Sequence, residues 1–147
     1  MAIALRGRGV RNLIILVVIL LAAALAHGFS ASPASAASGT ANGTHIQIWT
    51  CNGTDAQDWT VEPDGTLHVM GGCMDVSDSG TTNGTLVQLY GCNGTGAQQW
   101  RITTSGQLIN PESGLCLDDP NSSTTTGTQL DIWACNGGAN QQWTPPN

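Results

Sequence analysis

The residues of this chain with a capacity for chemistry are its carboxylates and its cysteines. Asp75 and Asp118 each stand two places after a cysteine, in Cys73-Met74-Asp75 and Cys116-Leu117-Asp118. The adjacent pair Asp118-Asp119 invites a reading as the paired carboxylates of glycoside hydrolysis. Neighbours on a strand point to opposite faces, so these two are not expected to converge. No Ser/His/Asp set, no convergent acid pair and no Cys-x-x-Cys is visible, and past residue 36 the histidines are His45 and His68. The pattern predicts no enzyme, no metal centre and no cofactor.

The acids lie inside an internal repeat, which identifies the elements that must position them. Gln57-Asp58-Trp59, Gln98-Gln99-Trp100 and Gln141-Gln142-Trp143 are spaced by 41 and 43 residues. A period near 40 signals repeat architecture. Before each triplet an aromatic stands two places ahead of a cysteine: Trp49/Cys51, Tyr90/Cys92 and Trp133/Cys135. Each of these cysteines is followed by Asn-Gly. In the second and third repeats the two cysteines lie 19 apart, so they pair by repeat, Cys73 with Cys92 and Cys116 with Cys135. Each bridge closes a loop worth roughly 3 kcal/mol in the chain-entropy model.

Cys51 is left over. Sliding the second repeat back by 41 lays Cys73 on Ser32 and Asp75 on Ala34. The first repeat is therefore expected to lack its opening strand, its first cysteine and its aspartate. An open barrel edge favours pairing between chains, and the expectation is a homodimer through the incomplete first repeat, with Cys51 either a free thiol or a bridge.

The chain begins with Arg6, Arg8 and Arg11, then an uncharged apolar run from Leu13 to Ala26, then small residues ending in Ala34-Ser35-Ala36. That order is a secretory signal peptide over 1–36, with cleavage expected after Ala36. The alternative is a retained membrane anchor, but a span needs about 20 apolar residues, and this run has 14. The expectation is a secreted, extracellular protein with no membrane attachment after cleavage. The remaining 37–147 keeps Arg101 against all ten acids, a formal charge of −9. One arginine builds no basic patch, which argues against nucleic acid as a partner. Five cysteines in an exported chain read as disulfides rather than metal ligands.

Beyond the leader the pattern is strand and turn. Ile46 to Trp49, Leu86 to Tyr90 and Gln129 to Trp133 are β-rich, and Asp64-Gly65 and Ser105-Gly106 are turn dipeptides between short strands. About ten short strands are expected, with Trp59, Trp100 and Trp143 as large core rings because they recur at one point of every repeat. The Asn-Gly-Thr triplets read as turn chemistry.

Three repeats of about 40 residues with Gln-x-Trp, Cys-x-Asp and aromatic-x-Cys resemble the ricin-type lectins, whose module also occurs as family 13 carbohydrate-binding modules. The resemblance implies an all-β trefoil over 37–147, with repeats at 37–63 (partial), 64–106 and 107–147, as about ten of twelve strands. It also implies shallow sugar sites and no catalysis. A carboxylate accepts two hydroxyl hydrogens, an aromatic ring faces the C–H side of a sugar, and amides both donate and accept. By resemblance, Asp118 is then the hydroxyl acceptor of the third repeat and Trp133 its stacking platform, with Asp131, Asn140 and Gln141 as polar partners. The second repeat offers Asp75, Gln88, Tyr90 and Gln98, with Ala97 where the third has Asn140. The first offers Gln47, Trp49 and Gln57 without an aspartate. Galactose-type and xylan-type glycans are the ligands implied; the alternative is a structural or inhibitory trefoil with decayed sites.

Overall fold

The computed structural model describes residues 5–7, 11–17 and 41–144. The expected cleavage point after Ala36 and the terminal Pro145-Pro146-Asn147 lie outside them. Eleven strands are present among the described residues: β1 Leu5–Gly7, β2 Arg11–Val17, β3 Thr44–Trp49, β4 Thr60–Val61, β5 Leu67–Val69, β6 Gly72–Val76, β7 Thr85–Tyr90, β8 Arg101–Ile102, β9 Leu108–Asn110, β10 Leu115–Asp118 and β11 Asp131–Trp133. None of the described elements is a helix long and apolar enough to cross a membrane.

Alternation builds these strands. In β3, Ile46 and Ile48 are buried while His45 before them is exposed; in β7, Val87 and Leu89 repeat that pattern after an exposed Leu86. Side chains on alternate positions take opposite faces, so the isoleucines, valines and leucines turn inward together. Each of β3, β7 and β11 pairs with the strand before it in its own repeat, as β2–β3, β6–β7 and β10–β11. The three also meet one another. β3 pairs β7, β7 pairs β11, and a bridge between Gln47 and Gln129, supported by Ile48 N to Thr128 O at 2.9 Å, closes the ring. The hairpins β4–β5 and β8–β9 cap one end. The fold is a β-trefoil: one curled sheet around a threefold core, as the resemblance to the ricin-type lectins implies.

The three motif tryptophans fill that core. Trp59, Trp100 and Trp143 are all buried. The Trp100 indole N–H donates to Met74 O and the Trp143 N–H to Leu117 O, both at 3.0 Å, so the buried rings keep a partner for their one polar atom. Their backbone amides tie the repeats together, Trp100 N to Gly65 O at 2.8 Å and Trp143 N to Gly106 O at 2.7 Å. Gly106 has φ +86°, and a Cβ there would stand 2.6 Å from Trp143 O, so glycine is required.

The disulfides Cys73–Cys92 and Cys116–Cys135 are formed, and Cys51 is an exposed free cysteine. The Asn-Gly-Thr asparagines do serve turns. Asn52 Oδ1 accepts from the Thr54 amide and Asn93 Oδ1 from the Thr95 amide, while Asn42 and Asn83 reach across to the Gly91 and Ala134 amides of neighbouring repeats.

The trefoil has a truncated first repeat, as expected, and a further strand, β2, from the apolar run near the start of the chain pairs with β3. Ile14 stands opposite Trp49 as Cys73 stands opposite Tyr90, and Leu16 stands opposite Gln47 where an aspartate stands in the other repeats. The physical reason is the unpaired edge of β3, which a β-prone run such as Leu13-Ile14-Ile15-Leu16-Val17 is suited to cover. The aspartate itself is absent from the first repeat, as the sequence predicts.

Candidate functional site

The third repeat brings its acids together by register. Between β10 and β11, Cys116 opposes Trp133, Leu117 opposes Ile132, and Asp118 opposes Asp131. Leu117 and Ile132 are buried in the core, so the pleat sends the other two pairs to the outer face. Beyond Asp118 the chain turns through Pro120–Ser122, with Asn121 and Ser122 at φ 58° and 51°. That turn forms one wall of an open depression of about 370 Å³ lined by Asp118, Pro120, Asn121, Asp131, Trp133, Asn136 and Asn140. Trp133 is 44% exposed, although it is a large aromatic.

The Asp118 carboxylate is held from behind. Asn140 Nδ2 donates to its Oδ1 at 2.8 Å and Gln141 Nε2 to the same oxygen at 2.7 Å. Among the described residues no hydrogen bond reaches Oδ2. Burial pushes the Asp118 carboxyl above its ordinary range, and the two amide bonds hold it back. Gln141 is fully buried and fully engaged: its Nε2 also donates to Ala134 O and its Oε1 accepts from Asn136 N at 2.8 Å. It therefore holds the Asp118 carboxylate from behind and is not among the residues lining the depression. Asn140 is half-buried and lines the pocket.

Asp131 has the opposite circumstance. It is only 7% exposed, and its Oδ1 has no hydrogen-bond partner among the described residues. Its pKa is pushed up to about 7, first by burial and then by the charges of Asp118 and Asp119. Asp118 and Asp131 are thus a convergent acid pair, which inspection of Asp118-Asp119 alone does not reveal.

The second repeat carries the same frame with a different filling. Asp75 opposes Gln88 in register. Gln88 Nε2 donates to Asp75 Oδ1 at 2.8 Å and Gln98 Nε2 to Oδ2 at 3.0 Å, so each oxygen has a partner within the protein. Gln98, like Gln141, is buried and also bonds the loop, through Gly91 O and Asn93 N. Tyr90 is exposed and Ala97 is buried. In the first repeat Trp49 is half-buried and Gln57 is buried, bonding Thr50 O and Asn52 N with no acid in front of it. Pro120, Asn121 and Asn136 are pocket residues that sequence reasoning missed; the recurring Cys-Asn-Gly was the available signal for Asn136.

A grouping of His68 with Cys73 and Cys92 is the one with metal-ligand spacing among the described residues. His68 Nε2 lies 3.2 Å from Cys73 Sγ. Both sulfurs are spent in a disulfide, so neither is a thiolate ligand.

The ricin-type beta-trefoil lectin domain, as a family, matches residues 31–143. No curated protein sequence matches the chain. Among solved structures it is similar to the designed threefold-symmetric protein ThreeFoil, at 32% identity and TM-score 0.65 over 71% of this chain and 81% of that one. The agglutinin from Abrus precatorius matches at 31% identity and TM-score 0.66, covering 72% of this chain and 40% of the agglutinin chain. A non-toxic homologue of type II RIPs from Momordica charantia (bitter gourd), solved in complex with α-methyl-D-galactoside, matches at 28% identity and TM-score 0.66, over 74% and 40%. The match thus spans about 40% of each of these two plant chains. With the family covering three tandem repeats and the trefoil they build, this chain belongs to the ricin-type β-trefoil lectin domains.

Proposed function

We propose that the protein is a secreted, non-catalytic carbohydrate-binding module or small lectin whose working site is the depression in the third repeat. The observation that carries this reading is the shared outer face of Asp118 and the exposed Trp133, with a carboxylate oxygen open beside an apolar plate. Such a pair suits a sugar, with vicinal hydroxyls to the acid and a C–H face to the indole. Galactose-type sugars are the first candidates, because the Momordica relative holds a galactoside; xylan-type polymers are the second. The Asp118/Asp131 pair lies in an open depression, a shape that favours binding over enclosure of a scissile bond.

Retention of the purified chain on immobilised galactan and on xylan, with and without Asp118→Ala, tests the reading. Loss of retention in the variant supports it; equal retention of both forms removes the site assignment. A structural or inhibitory trefoil is the second reading, favoured by the internally bonded Asp75 and the missing first aspartate, and it predicts no retention of either form. Export with cleavage after Ala36 would take β2 away and expose the edge of β3. On that ground we propose that the exported form dimerises along this edge, with Cys51 near the junction.

A further inference from the structure

The two complete repeats differ at one register position, and the difference selects a ligand. Opposite Asp75 stands Gln88, an amide that donates to the acid at 2.8 Å. Opposite Asp118 stands Asp131, which has no hydrogen to donate when ionised. The second site is satisfied from within the protein, whereas the third presents two carboxylates to the same space. Asp131 is more than nine-tenths buried, lines the depression, and carries an oxygen with no hydrogen-bond partner among the described residues. Asp119 adds a third negative charge that Asp131 feels, and the residues lining the depression include no lysine, arginine or histidine.

A buried acceptor without a donor is costly, and a buried charge beside like charges more so. The ligand that relieves both brings hydrogen-bond donors and positive charge together. A neutral sugar hydroxyl brings one donor and no charge. An ammonium group brings three donors and a full charge. Resting on the lectin reading above, we propose that the third-repeat site is selective for sugars with a free amino group, 2-amino-2-deoxyhexoses and their polymers, with the ammonium between Asp131 and Asp118 and the ring face on Trp133. The balance of charge on the rest of the chain agrees: residues 37–147 hold one arginine against ten acids, a surface that attracts a polycation.

The test compares galactosamine and glucosamine with their N-acetyl forms and with galactose, by titration of the purified full-length chain at pH 6 in moderate salt. N-acetylation keeps the ring and removes only the charge and two donors. The expected result is binding of the free amines roughly tenfold tighter than the N-acetyl forms, the size of one charged hydrogen bond. Binding of the amine at pH 6 should also release a proton from the site, read as a heat that varies with the ionisation enthalpy of the buffer. Asp131→Gln, which copies the Gln88 arrangement already present in the chain, should bring the preference ratio to near one; its thermal unfolding checks that it folds. Equal or better binding of the N-acetyl forms or galactose overturns the amine selectivity while leaving the lectin reading in place. A preference unchanged in Asp131→Gln also overturns it, since attraction to the acidic surface alone would give that result. Binding of none of these sugars overturns the amine selectivity, and together with no retention on galactan or xylan it overturns the lectin reading as well. Competition by lysine as strong as by galactosamine shows a site for ammonium ions without a sugar platform, and overturns the sugar class named here.

Discussion

Replacing Asp131 by asparagine should raise stability above neutral pH and leave it nearly unchanged in acid. The folded carboxyl titrates at about 7 against an ordinary value of 3.8, so the folded state holds this proton more tightly than the unfolded chain does. The sign follows from linkage: the stabilisation is complete below about pH 4 and is lost as pH rises towards 7. A shift of that size has an upper limit of about 4 kcal/mol. The depression is open to water, and screening there reduces the expected loss to about 2 kcal/mol. The asparagine side chain has the shape of the protonated acid and no charge to gain. Urea unfolding of both forms at intervals from pH 4 to 8, disulfides intact, should give curves that coincide near pH 4 and separate by about 2 kcal/mol at pH 8, with the variant more stable. Other titrating groups, such as Asp64, whose hydrogen bonds from Thr66 lower its pKa, act equally in both proteins and cancel in the difference. Curves that stay parallel over the whole range, or a variant less stable at pH 8, would refute the account of Asp131 as a buried acid facing other acids.

Other outcomes test the frame around the site. Gln141→Leu should cost about 2–4 kcal/mol, because it strands Ala134 O and the Asn136 amide, and should also weaken sugar retention by freeing Asp118. Gln98→Leu should cost a similar amount without changing the third site; retention falling equally in both would show a general loss of fold. The double change Cys116→Ser, Cys135→Ser should lower stability by about 3 kcal/mol in urea, and an unchanged midpoint would count against the loop-closure argument. Gly106→Ala should lower the melting temperature, since the new Cβ meets Trp143 O at 2.6 Å and the residue keeps φ +86°. A melting temperature equal to that of the parent would show that this turn is not bound as described.

The fold was legible in the sequence because one triplet does two jobs at a fixed spacing. Trp59, Trp100 and Trp143 recur where three repeats share a core, and the cysteine pairs recur 19 apart, so period alone locates both. Asp118 and Trp133 were legible as partners because each is tied to a cysteine of one disulfide. What a linear reading could not supply is which side chains oppose one another across strands. Asp131 faces Asp118 only through the β10–β11 register, and the adjacent Asp119 is a distraction along the chain. The inward role of Gln141 has its clue in the first repeat. Gln57 occupies the same place in a repeat with no aspartate, so the glutamine must have work that does not involve an acid. The strand β2 was hidden because its apolar run satisfies the pattern of an export signal and of a β-strand alike.

That same Gln57 bears on how such molecules change over time. Its amide holds the loop after Trp49 in shape with no carboxylate opposite, so the scaffold of a repeat does not depend on its acid. Valency is therefore uncoupled from folding: a repeat can gain or surrender its acid by a single substitution while the barrel goes on assembling.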